Sequence, residues 1–75
     1  MTPEEVVALA FGLNPGQVTD LTSNQTVAEW DSLGHITLIL ELEEAFGISF
    51  SPEETLAMTS VHAIKQGLRS RGKAW

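Results

Sequence analysis

The sequence predicts an all-α fold: a small antiparallel four-helix bundle of three main helices and one short helix, with a long ordered first loop. Three observations predict it. Two tetrapeptides, "TPEE" at 2–5 and "SPEE" at 51–54, carry helix-start chemistry. Apolar residues recur at three- and four-residue spacing. Finally, "GISF" is the only β-like fragment, and it is too short to pair usefully. Packing each apolar stripe against the others is the economical way to bury them. The 75 residues make a single domain, 1–75, with little room for a deep, water-excluding cleft.

In the first helix Thr2 is the N-cap, Pro3 takes the first helical position, and Glu5 reaches back three residues to complete a capping box. Val6, Val7, Ala10 and Phe11 follow on one face, and Gly12 ends the helix. The stretch "LNPGQVTDLTSNQTVAEW" (13–30) is rich in turn formers, so it reads as a loop. Loops of that length in small domains are often functional. Val18, Leu21, Val27 and Trp30 are expected to peg this one to the bundle. The second helix runs from Ser32 to Phe46 and stops at Gly47. "SPEE" then starts a short helix reaching Met58. The last helix begins at Thr59 or Ser60 and presents Val61, Ile64 and Leu68 on one stripe, weakened slightly by Gly67.

The second helix carries more apolar surface than a core needs. At about 100° per residue, Leu38, Ile39, Leu42, Ala45 and Phe46 gather on one arc, enough to face the bundle. On the far side, Ser32, Ile36, Leu40 and Glu44 form a row, with Leu33 and Glu43 beside it. Only three other helices exist to cover this one, so Leu33, Ile36 and Leu40 with Glu43 and Glu44 are expected to form an apolar docking patch with an acidic rim.

Ser32, at the mouth of this helix, has two readings. It can be an N-cap that satisfies a free backbone N–H. Alternatively Asp31 takes the cap and leaves the Ser32 hydroxyl available, at a helix end that favours an attached phosphate. A third arrangement, Asp31, Ser32 and His35 as a hydrolytic triad, fails on geometry. All three fall within one helical turn, without an oxyanion hole. His35 lies at the edge of the core arc and is expected to be partly buried.

Composition narrows the function further. Ten Asp and Glu against four Lys and Arg give a net charge of −6, which argues against nucleic-acid partners and suits capture by basic surfaces. The cations Lys65, Arg69, Arg71 and Lys73 all fall in the last eleven positions, where they can offset the end of the final helix. With no cysteine there is no thiolate nucleophile or thiolate metal site, and His35 and His62 show no metal-ligand spacing. Any thiol chemistry must arrive on a cofactor. No run is long enough to span a membrane and no signal segment is evident, so a cytoplasmic, monomeric protein is expected. Carboxylates at 41, 43, 44, 53 and 54 should repel one another, so that salt or divalent cations raise the melting temperature.

Asp31-Ser32-Leu33, then "LILELEEAFGI", then "SPEE" and "MTSV", together resemble the acyl carrier proteins, whose fold is shared by peptidyl carrier domains. In that family Asp-Ser-Leu opens the second helix, a Leu-Glu-Glu-x-Phe run closes it (here Leu42, Glu43, Glu44 and Phe46), and a Thr-Ser-Val step (Thr59 to Val61) opens the last. The resemblance covers Trp30 to about Leu68 well and the first helix loosely. It implies that Ser32 carries 4′-phosphopantetheine, moved from coenzyme A by a separate phosphopantetheinyl transferase, with Asp31 in support beside that enzyme's magnesium. The protein would then be a non-catalytic carrier of thioester-bound acyl groups between acyl-loading and acyl-processing enzymes of fatty-acid or polyketide-type biosynthesis, meeting them through the helix that begins at Ser32. An apolar pocket near His35 and Ala45 would shelter the cargo. Two departures stand out: Gly34 and Thr37 occupy positions that are commonly acidic in fatty-acid-synthesis carriers, and the Gly-Gly-His-Ser form of many peptidyl carriers is missing. Gly34 is also expected to cost about 0.5–1 kcal/mol of helix stability relative to alanine. The alternatives are an aminoacyl or peptidyl carrier in a specialised pathway, and an unmodified adaptor that binds through the same patch.

Overall fold

The computed structural model describes residues 1–73 and 75. Four α-helices follow one another, α1 Pro3–Phe11, α2 Ser32–Phe46, α3 Pro52–Ala57 and α4 Val61–Ser70, with a 3₁₀ turn at Pro15–Gln17 inside the first loop. No strand occurs among the described residues, only an isolated bridge between Ser23 and Ser60.

Both cap tetrapeptides close as the sequence predicts. Thr2 N–H donates to Glu5 Oε1 at 2.8 Å while Glu5 N–H donates to Thr2 Oγ1 at 3.2 Å. Ser51 and Glu54 repeat this pair at the same distances. Helix α1 ends on Gly12 and α2 on Gly47, both left-handed with φ near +67°, where a side chain would be strained. Helix α3 ends one residue earlier than expected, with Met58 as its buried C-cap, and Ser60 rather than Thr59 caps α4.

One core joins α1, the long loop, α2 and α4, with Met58 entering it just after α3. Val6, Val7 and Phe11 of α1 meet Leu38, Ile39 and Leu42 of α2, Met58, and the α4 stripe of Val61, Ile64 and Leu68. Gly67 is no mere weakness in that stripe. A Cβ there would lie 2.9 Å from Met58 Sδ, so its bare backbone lets α4 close on Met58. Ala45, expected in the core arc, is exposed and lines an open groove with Met1, Val6 and Leu9, which α1 borders without filling. Phe46 is half-buried, edge-on to Trp75 at 5.9 Å.

The long loop is pinned by polar groups as well as by pegs. Val18, Val27 and Trp30 are buried as expected, but Leu21 is fully outward and Thr22 takes the inward place. The reason lies in α4, whose first four N–H groups need acceptors. Thr22 C=O accepts from Val61 and Asp20 C=O from His62, while the Ser60 side chain and carbonyl serve Ala63 and Ile64. Two of the basic residues also tie elements together instead of only offsetting a helix end. Lys65 Nζ lies 2.7 Å from both Glu4 and Asp20, linking α4 to α1 and the loop. Arg71 grips Glu54 through two nitrogens. Those contacts raise Lys65, hold Asp20 low, and bring Glu54 down to about 2.

Candidate functional site

The mouth of α2 contrasts with that of α4. Asp31 is the N-cap, with extended backbone, and its Oδ1 accepts from Gly34 N–H at 2.8 Å. Its carbonyl accepts from His35 N–H. Ser32 therefore stands at the first helical position, exposed, and its hydroxyl makes no hydrogen bond among the described residues. The N–H groups of Ser32 and Leu33 likewise have no protein partner there, whereas the equivalent pair in α4 is taken up by the loop. Capping by Asp31 and availability of Ser32 are thus two sides of one arrangement.

Gly34 explains why the chain can make this turn. A Cβ at that position would lie 2.1 Å from the Glu29 carbonyl oxygen and 3.0 Å from the Phe11 ring. The entering chain crosses directly over the first turn, so glycine is required by contact there. The expected gain on replacing it with alanine is overturned, and no acidic side chain fits in its place.

His35 is fixed from both sides. Trp30 Nε1–H donates to His35 Nδ1 at 2.9 Å, which puts the imidazole proton on Nε2, from where it donates to the Thr55 carbonyl at 2.7 Å. Trp30 is buried and stacks on Phe11 at 5.3 Å. With both ring nitrogens engaged, His35 is not a base for Ser32, and Asp31 is turned to Gly34. The three residues form no triad.

Beside Ser32 lies an open depression of about 530 Å³, walled by Trp30, His35 and Ile36 on one side and by Thr55, Leu56 and Thr59 on the other. Ala45, expected beside His35, is not part of it. Along the outer face of α2, Leu33, Ile36 and Leu40 are 74%, 56% and 60% exposed, so the sequence-derived patch is brought together on one surface. Glu44 is exposed beside it. Glu43 is half-buried, because its Oε2 accepts from Phe50 N–H at 2.8 Å. Of the five carboxylates expected to repel, Glu54 is paired with the Arg71 guanidinium and Glu43 accepts from the Phe50 N–H.

Sequence reasoning missed the Trp30–His35–Thr55 chain and Leu56, which is 77% exposed at the edge of the depression. Leu56 sits in a six-residue helix, too short for periodicity to reveal a face. Among the described residues no group of three His, Asp or Glu is placed to hold a metal ion, and no helix is long and apolar enough to cross a membrane.

No family model matches the chain. It is 40% identical over 58 residues to a protein named acyl carrier protein from Rubrobacter xylanophilus, an alignment that spans 77% of this chain and 72% of that one.

Proposed function

The chain belongs to the acyl carrier protein family, and we propose that Ser32 is its attachment point for a 4′-phosphopantetheine arm. The observation that carries this reading is the exposed Ser32 hydroxyl, released from capping by Asp31. The fit is chemical as well as spatial. A phosphodiester at this position would sit beside the unpartnered N–H groups of Ser32 and Leu33, at the positive end of α2. Asp31 uses Oδ1 for the cap and keeps its second oxygen for the transferase's magnesium side. When attached, the arm supplies a terminal thiol that holds cargo as a thioester, which a chain without cysteine cannot provide.

In this reading 1–75 is a single carrier domain, and the protein is a substrate of a phosphopantetheinyl transferase and of acyl-loading and acyl-processing enzymes. These dock on Leu33, Ile36 and Leu40, with Glu44 as a free carboxylate at the rim and Glu43 as a fixed one. The cargo belongs to fatty-acid or polyketide-type biosynthesis. The crossing over Gly34 favours partners that do not need an acid two residues after the serine, and so a dedicated pathway over general fatty-acid synthesis.

The test is intact mass after incubation with coenzyme A and a broad-specificity phosphopantetheinyl transferase. Wild-type protein gains one phosphopantetheine unit and Ser32→Ala gains none. An unmodified wild-type chain overturns the assignment and leaves the adaptor reading of the same patch.

A further inference from the structure

Helix α3 buries no residue within its own span. It is held at three points: Met58 in the core just after it, the Arg71 grip on Glu54, and the Thr55 carbonyl that His35 reaches from α2. A cargo chain entering the bundle from the Ser32 end has to part α2 from α3. The His35 ring stands in that gap. It is braced by the Trp30 indole, which rests in turn on Phe11, so α1, the loop, α2 and α3 are joined in one series of contacts.

The core itself is closed to solvent. Leu38, Leu42, Met58, Val61, Ile64 and Leu68 are fully buried against one another. Opening the gap would separate the imidazole Nε2–H from the Thr55 carbonyl, the hydrogen bond that joins α2 to α3. The depression outside is different. It is open to solvent and mixed in character, with Ile36 and Leu56 as apolar contacts and Asn24, Thr55 and Thr59 as polar ones.

We propose that His35 is a specificity-determining latch: by tying α2 to the Thr55 carbonyl it keeps thioester cargo in the outer depression, which takes short or polar-substituted acyl groups and does not draw long alkyl chains into the core. The proposal rests on Ser32 carrying the arm. His35 acts on cargo by holding α3 in place and takes no part in thioester chemistry.

The experiment loads octanoyl- or acetyl-phosphopantetheine onto Ser32 from the corresponding coenzyme A ester, with intact mass confirming each product, and compares methyl NMR spectra. In the wild-type chain the octanoyl form shifts the methyls of Ile36 and Leu56 relative to the acetyl form, and leaves those of Leu38, Leu42, Ile64 and Leu68 unmoved. In His35→Leu, and to a lesser degree in Trp30→Phe, the same octanoyl group shifts the core methyls. Core shifts in the wild-type chain overturn the latch whether or not either variant folds, as does a folded His35→Leu whose core methyls stay still. A chain that takes up no acyl-phosphopantetheine fails at the mass measurement, and that failure strikes the Ser32 assignment first.

Discussion

Helix α1 begins Thr-Pro-Glu-Glu and helix α3 begins Ser-Pro-Glu-Glu, and each closes a complete capping box, yet α1 buries Pro3, Val6, Val7, Ala8 and Phe11 while α3 buries nothing. Start chemistry is therefore no guide to how firmly a helix is held. A cap satisfies local N–H groups and contributes about 1 kcal/mol wherever it sits. Burial contributes several times more, but only if the periodic residues find a partner surface. Helix α1 lies in the core because its apolar face is matched by α2. Within its own span helix α3 is held by hydrogen bonds and an exposed ion pair, which salt and acid weaken, and only its C-cap Met58 reaches the core. The weakly buried helix is also the one beside Ser32.

The largest expected effect separates the two helices by truncation. Phe11→Ala removes a ring packed on Trp30 and should cost about 3–5 kcal/mol in urea unfolding. Leu56→Ala, in exposed α3, should stay within about 0.5 kcal/mol. Equal losses would erase the distinction between apolar and polar anchoring.

A smaller effect sharpens it at the joint between α1 and α2. Gly34→Ala should lose about 1–3 kcal/mol by overpacking against the Glu29 carbonyl and Phe11, against a helix-propensity gain of about 1 kcal/mol. A more stable variant would mean that the crossing chain yields freely.

The smallest effect is that of acid. The hydrogen bonds from Arg71 hold Glu54 at about 2, against an ordinary 4.5, and hydrogen bonding to Thr2 lowers Glu5 as well. Because these carboxylates are lowered on folding, their stabilisation is complete above about pH 4.5 and fades for Glu54 as pH falls toward 2. Both boxes weaken, but α1 keeps its buried face. The Cα shifts of α3 should thus move toward coil values before those of α1 in an NMR titration. Simultaneous melting would show that the Met58 anchor outweighs the polar ties of α3. Arg71→Gln should bring the α3 change to higher pH.

Much of this was legible from residue types. The cap boxes, the glycine stops after α1 and α2, the α4 stripe and the outward Leu33, Ile36 and Leu40 are all functions of short-range spacing, and the structure reproduces them. The same is true of Asp31 as a cap. Leu21, Ala45 and Gly34 were misread for a common reason. Each depends on a contact outside its own helix periodicity: the α4 N–H groups that turn Thr22 inward, the open groove between α1 and α2 at Ala45, and the Glu29 carbonyl and Phe11 ring over the first turn of α2.

By itself the sequence determined where each helix starts and stops, which face of α2 is apolar twice over, and that Ser32 stands at a helix mouth, because backbone capping and 3.6-residue periodicity are local. Only the tertiary structure decided that the α4 mouth is closed while the α2 mouth stays open, that Gly34 is demanded by contact, and that His35 bridges Trp30 to Thr55. Those outcomes follow from which donors and acceptors, far apart along the chain, are left to satisfy one another once the core has closed.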